Sequence, residues 1–115
     1  MATILFRATV LPRATIGTVV NVKLQNISAT PFAKNLDVIE GFRRISKGDI
    51  AVVLVPGEKN AVIVRFVEDR YYAHQIRHAE IISNPVPRTT LGPWSKRDRQ
   101  VTEVPEIEVQ KLLAG

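Results

Sequence analysis

Apolar and polar residues alternate along the first two segments of the chain. Segment 3–11 has four apolar residues that would share one side of an extended chain: Ile4, Phe6, Ala8 and Val10. Segment 18–27 alternates more regularly, with Val20, Val22 and Leu24 against Asn21, Lys23 and Gln25. A period of two indicates a strand with one buried face. Because Pro12 and Gly17 interrupt the chain between the segments, we expect two antiparallel strands.

Two further strands are predicted in "KGDIAVVLVPGEKNAVIVRFVED", residues 47–69. Residues 50–55 are continuously apolar, which predicts a strand buried on both faces. Pro56 and Gly57 suit the two central positions of a type II turn, because the second of these positions needs a positive φ. The chain then returns as a second strand with Arg65 facing outward. We interpret this hairpin as scaffold.

Two segments each fit more than one structure. In residues 33–49, apolar residues recur at helical spacing, but Gly41 also suits a bend in an extended chain. Residues 70–83 fit either a helix or a strand, a turn and a second strand. Only in a helix would His74 and His78 share a face.

The core pattern stops after residue 83. Three prolines fall within residues 84–93, and the last residues fit a short amphipathic helix. We therefore expect a domain over residues 1–83 and an extended, proline-containing tail over residues 84–115. The tail either docks on a protein partner or covers an open edge of its own sheet, and we favour the second.

Short strands separated by turn signals about every ten residues predict a mainly β protein. A chain of 115 residues suggests one domain. The predicted architecture is a small SH3-like or OB-like barrel with a proline-rich C-terminal extension ending in a short helix, because closing the sheet removes exposed edges.

Composition narrows the functional classes. The chain has no cysteine, which excludes disulfides and thiolate chemistry. No apolar stretch approaches the ~18 residues that span a bilayer, and Arg7 interrupts the N-terminal apolar run too early for a secretory signal. We expect a soluble cytoplasmic protein with no membrane partner.

The uneven charge fits a protein that binds a polyanion, and it also fits a soluble protein with no charged partner. Residues 1–100 contain 15 Lys and Arg against 8 Asp and Glu, whereas residues 101–115 are acidic. Basic residues lie next to aromatic ones, a combination that neutralises phosphates and stacks on bases. The predicted nucleic-acid-binding residues, with DNA and RNA both open as ligands, are Arg43, Arg44, Lys47, Arg65, Arg70, Tyr71, Tyr72, Arg77 and Arg97.

Catalytic and metal-binding patterns are weak. His74 and His78 are four residues apart, but they have no third ligand at a convincing spacing, so we predict no metal site and no cofactor. No nucleophile motif or phosphate loop occurs, and we predict a non-enzymatic protein. The alternative function is a protein-interaction module, such as a phage or bacterial adaptor, inhibitor or assembly component. It would use Trp94, Leu112 and Leu113 of the tail, which also suit a homo-oligomer.

The segment "ISKGDIAVVLVPGEKNAVIVRFVED", residues 45–69, resembles a strand–turn–strand motif of small β-barrels. One such barrel is the DNA-end-binding N-terminal domain of the primosomal replication-restart helicase, and small phage-encoded proteins have similar sequences. The aromatic-rich strand that precedes the "GD" turn in that domain is replaced here by residues 36–45, in which Phe42 is the only ring. The resemblance implies a small barrel and nucleic acid, and it transfers no individual binding residue.

Overall fold

The chain folds as a mainly β protein, as the sequence predicts. The computed structural model describes residues 3–9, 15–24, 40–55, 57–73, 76–92 and 101–114. Its strands are β1 (Thr3–Thr9), β2 (Val19–Leu24), β3 (Ile50–Leu54), β4 (Asn60–Phe66), β5 (Ile76–Ile81), β6 (Val86–Pro87) and β7 (Val101–Val104). A short 3₁₀ helix spans Arg88–Thr90, and helix α1 spans Glu106–Leu113.

These strands form one sheet in the order β2-β5-β4-β3-β1-β7, with β6 paired to β4. The neighbours are antiparallel except β1 and β3, which run parallel. The β1 strand also pairs with β2 at two positions, Ala8 with Leu24 and Thr9 with Lys23. The predicted antiparallel pairing of the first two strands and the predicted β3–β4 hairpin are both confirmed.

Strand β3 is buried on both faces, as its uninterrupted apolar sequence predicts. Ala51 and Val53 belong to one core cluster, together with residues of β2, β4 and β5. Val52 and Leu54 point the other way into a second cluster. The second cluster also contains Val109 of α1, so the C-terminal helix covers the face of β3 that the other strands leave open.

The C-terminal elements pack on the same sheet. Strand β6 pairs with the start of β4, and β7 pairs with β1 from Thr3 opposite Val104 to Phe6 opposite Val101. In α1, Val109 is buried, whereas Ile107 on the opposite side is 61% exposed. The amphipathic pattern of the last residues therefore reflects packing against the protein's own core.

Pairing with strands that are distant in sequence determines the structure of segment 70–83. Residues 76–81 form strand β5 between β2 and β4, and Tyr72 pairs with Ile76 across the preceding turn. The helical interpretation is therefore wrong, and the strand–turn–strand interpretation is right. His78 lies on β5, and His74 lies outside the described residues, as do residues 33–39.

The turns use glycine where the sequence predicts it. Residues 40–43 are helical, and Gly48 follows with a φ of 91°. Gly57 has a φ of 81°, and the amide of Glu58 donates to the carbonyl of Val55 at 3.1 Å. That hydrogen bond and that φ match the predicted type II turn, of which Pro56 lies outside the described residues.

Candidate nucleic-acid interface

Two connections meet at one end of the sheet and are held together there. One is segment 40–49, which precedes β3, and the other is segment 67–73, between β4 and β5. The amide of Lys47 donates to Oδ1 of Asp69 at 2.7 Å. The amide of Gly48 donates to the carbonyl of Phe66 at 2.8 Å. Predicted binding residues from distant parts of the sequence are thereby brought side by side.

Arg77 is the buried tie between these connections. Its guanidinium donates to the carbonyls of Phe42 and Ile45 in the first connection and of Glu68 in the second. It also lies over the ring of Phe66, 4.9 Å from its centre. Burial lowers the pKa of Arg77, and the nearby carboxylates Asp69, Asp49 and Glu68 oppose that shift.

The prediction that Arg77 contacts phosphate is wrong, because its side chain has no exposed surface. The burial of Arg77 could have been predicted from the alternation along β5. In the period-two alternation of β5, residue 77 is in phase with Ala79 and Ile81, which are both buried. A basic residue at a core position of a strand indicates a buried structural arginine.

Two exposed arginines lie over two consecutive tyrosines. The guanidinium carbon of Arg43 is 5.2 Å from the ring centre of Tyr71. That of Arg70 is 4.5 Å from the ring centre of Tyr72. Both distances are those of cation–π pairs. The sequence prediction placed these four residues in one site, and the structure brings all four to the same end of the sheet.

Tyr71 is partly a core residue. Its ring packs edge-on against Phe42, with ring centres 6.1 Å apart and planes at 77°. Phe42 in turn packs edge-on against Phe66. Burial raises the pKa of Tyr71, and the charge of Arg43 opposes the increase. Tyr71 therefore holds Arg43 on the surface while its own ring is half covered.

Tyr72 lies in a second arrangement, with Glu68 and His78. The Tyr72 hydroxyl donates to Oε1 of Glu68 at 2.7 Å, and Nδ1 of His78 is 2.9 Å from the same oxygen. The Tyr72 and His78 rings stack, with centres 4.3 Å apart and planes at 28°. The hydrogen bond to Glu68 is the main cause of the raised pKa of Tyr72.

Glu68 and His78 are site residues that the sequence analysis missed. The predicted binding residues include neither Glu68, which is acidic, nor His78. In the strand pattern of β5, His78 alternates with Arg77 and Ala79 and so faces outward. That alternation was the available signal, whereas nothing in the sequence indicates that Glu68 folds back to meet it.

The other predicted binding residues are spread around this centre. Arg44 and Arg43 make only long, exposed ion pairs with Glu40, at 3.8 and 3.6 Å, which contribute little. Lys47 is exposed beside them, and Arg65 is exposed on β4. Arg97 and Trp94 lie outside the described residues. Of the two tail leucines, Leu112 packs on the second core cluster and Leu113 is 38% exposed.

Two absences hold for the described parts of the chain. No group of three or more His, Asp or Glu side chains there could hold a metal ion. No described helix has the length and hydrophobicity needed to cross a bilayer. Comparison with protein-family models, with curated proteins and with solved structures finds no match to this chain.

Proposed function

We propose that this protein is a non-enzymatic nucleic-acid-binding domain. The single observation that carries the proposal is the pair of arginine–tyrosine stacks, Arg43 on Tyr71 and Arg70 on Tyr72. An arginine that is positioned over a ring offers a planar cation, and nucleic-acid bases stack on guanidinium planes. The arginine also contributes charge to phosphate binding.

Binding in this scheme divides into two parts. Arg44, Lys47 and Arg65 are exposed cations that neutralise phosphates. Arg43 and Arg70 add charge and a stacking surface, with Tyr71 and Tyr72 orienting them. Arg77 contributes only by holding the two connections in register through its bonds to main-chain carbonyls.

The proposal includes a small barrel of the OB-like type, rather than the SH3-like alternative. Strands β1 and β3 are parallel neighbours, and a parallel pair requires a crossover connection that a simple meander lacks. The short antiparallel pairing of β1 with β2, at Ala8–Leu24 and Thr9–Lys23, is a further contact that supports this architecture. The likeness of residues 45–69 to the restart-helicase domain supports the same architecture.

The test is a double substitution at the two stacked arginines, R43Q/R70Q. Binding of a labelled oligonucleotide, measured by fluorescence anisotropy, should weaken about tenfold or more for every sequence, because each change removes a charge and a stacking plane. The slope of log affinity against log salt should fall by about 1.4 on a single strand, which corresponds to two phosphate contacts.

The matched control is K59Q, which removes an exposed cation at the tip of the β3–β4 hairpin. Lys59 precedes Asn60 at the start of β4, whereas the arginine–tyrosine pairs lie beyond Phe66 at its end. The control should keep the affinity and salt slope of the unaltered chain. Equal losses in K59Q and R43Q/R70Q would show a diffuse charge effect and would reject the proposed site.

A second candidate function is a protein-interaction module that uses the C-terminal tail. It is supported by Ile107 and Leu113, which are 61% and 38% exposed on α1. In the described part of the tail these are the two exposed large apolar side chains, whereas a protein-docking surface is marked by a contiguous apolar patch of several hundred Å². We therefore favour nucleic acid.

A further inference from the structure

The outward face of strands β2 and β5 continues the arginine–tyrosine site. Burial alternates along both strands, so every second side chain points to solvent. The register places Asn21 opposite His78 and Lys23 opposite Ile76 on that outward face. Both Asn21 and Lys23 are exposed. Directly opposed side chains of an antiparallel pair lie close enough to form one surface.

Planar side-chain groups form a continuous row from segment 67–73 onto this outward face. The guanidinium of Arg70 lies on Tyr72, and the Tyr72 ring stacks on His78. His78 then faces Asn21 across the strand pair, and Lys23 lies two residues further along β2. We call the surface made by Arg70, Tyr72, His78, Asn21 and Lys23 the platform. The Tyr72–Glu68 and His78–Glu68 contacts hold its two central rings in place.

Charged residues of both signs lie on or beside the platform. Arg70 and Lys23 are its cations. The carboxylate of Glu68 is engaged by Tyr72 and His78, and Glu80 lies directly opposite Arg65 in the register of β4 and β5. On the same outward face Glu80 also lies opposite Val19, so the two cations act beside two carboxylates. Val19, which is 56% exposed at the end of the same row, adds apolar surface.

We infer that the platform binds single-stranded nucleic acid in preference to duplex, an inference that rests on the proposed function. The guanidinium plane of Arg70 and the imidazole of His78, which cover Tyr72, can stack only on bases that are already unstacked and exposed. Phosphate contacts alone accept a duplex equally well, because they carry no information about the bases. The strand passes from the Arg43–Tyr71 end over Tyr72 and along β2, with Lys23 contacting a phosphate.

The test compares single-stranded DNA and RNA of about 12 nucleotides, within the range that one small barrel covers, with the matching duplex. The unaltered chain should bind the single strand about tenfold or more tightly than the duplex. The variant N21A/K23Q alters only exposed side chains and should keep the fold. It should weaken single-strand binding about five- to a hundredfold, the range of one lost base or phosphate contact, with a smaller effect on the duplex.

A second variant, Y72L, removes the ring that connects the loop to the strands. It should reduce the preference for single strands, while K59Q serves again as the control that leaves both affinities unchanged. Equal affinity for single strand and duplex, with N21A/K23Q like the unaltered chain, would overturn the platform and leave the Arg43 and Arg70 site standing. Absence of binding to either form at low salt would overturn both proposals.

Discussion

At the scale of single residues, environment decides what each basic or aromatic side chain does. Arg77 and Arg65 both lie on strands next to aromatic or acidic neighbours, yet one is fully buried and the other is exposed. Tyr71 and Tyr72 are adjacent in sequence, yet one packs on the core and the other stacks on His78. A count of basic and aromatic residues therefore overestimates the binding surface.

The hydrogen bond between Tyr72 and Glu68 leads to a prediction about the pKa of Tyr72. Both tyrosines have a pKa raised above 10.0, and in Tyr72 the main cause is Glu68. In E68Q the phenolate no longer forms beside a carboxylate, so the pKa of Tyr72 should fall. An alkaline titration of tyrosinate absorbance should show one of the two transitions moving to lower pH.

Glu80→Gln is the control for that titration. Glu80 is a carboxylate on the same outward face, and in the strand register it lies opposite Val19 and Arg65. Its titration curve should superimpose on that of the unaltered chain. An E68Q curve that also superimposes would contradict the Tyr72–Glu68 contact.

At the scale of elements, strands β1 to β4 follow from the sequence, whereas β5 was ambiguous and β6 and β7 lie in the segment predicted as a tail. Strands β1 to β4 are predictable because alternation or an unbroken apolar run has a single interpretation there. In residues 70–83, Tyr72, Ile76 and Ala79 fit helical spacing as well as they fit a strand. The choice is made by pairing with β2 and β4, which a local pattern does not contain.

The candidate site was predictable only in part, for a related physical reason. Arg43, Arg70, Tyr71 and Tyr72 form clusters in the sequence and meet in the fold. Asn21 joins them only through the register of β2 against β5, which is a long-range property. Burial of Arg77 followed from strand phase once β5 was assigned.

Arg77 allows a prediction about how the two connections are held. R77M keeps an apolar stem but leaves the carbonyls of Phe42, Ile45 and Glu68 without their donor. Its free energy of unfolding, measured in urea, should fall by about 3 kcal/mol, because unpaired buried polar groups are costly. R65M, at the exposed arginine of β4, should change stability by less than about 0.5 kcal/mol. Equal stability of the two variants would show that Arg77 is not the tie between the connections.

At the scale of the whole molecule, the charge of the chain and the shape of the sheet support one account. The net charge is +5, and the surplus lies in residues 1–100. The tail residues of α1 and β7 complete the second core cluster through Val104 and Val109. In the proposed function, one end of the sheet and its β2–β5 face bind the ligand. Electrostatic attraction to phosphates gives such a surface affinity, and stacking gives it selectivity for exposed bases.

The salt dependence of single-strand binding tests the central claim most directly. Affinity for a labelled single-stranded oligonucleotide would be measured at ~50 and ~200 mM salt, where each phosphate contact contributes about 0.7 to the slope. Four or five phosphate contacts, drawn from the six exposed cations of the proposed surface, predict an affinity loss of about 50- to 130-fold between the two conditions. These cations are Lys23, Arg43, Arg44, Lys47, Arg65 and Arg70. Binding that is unchanged by salt, or no binding at ~50 mM, would contradict nucleic-acid recognition by this surface.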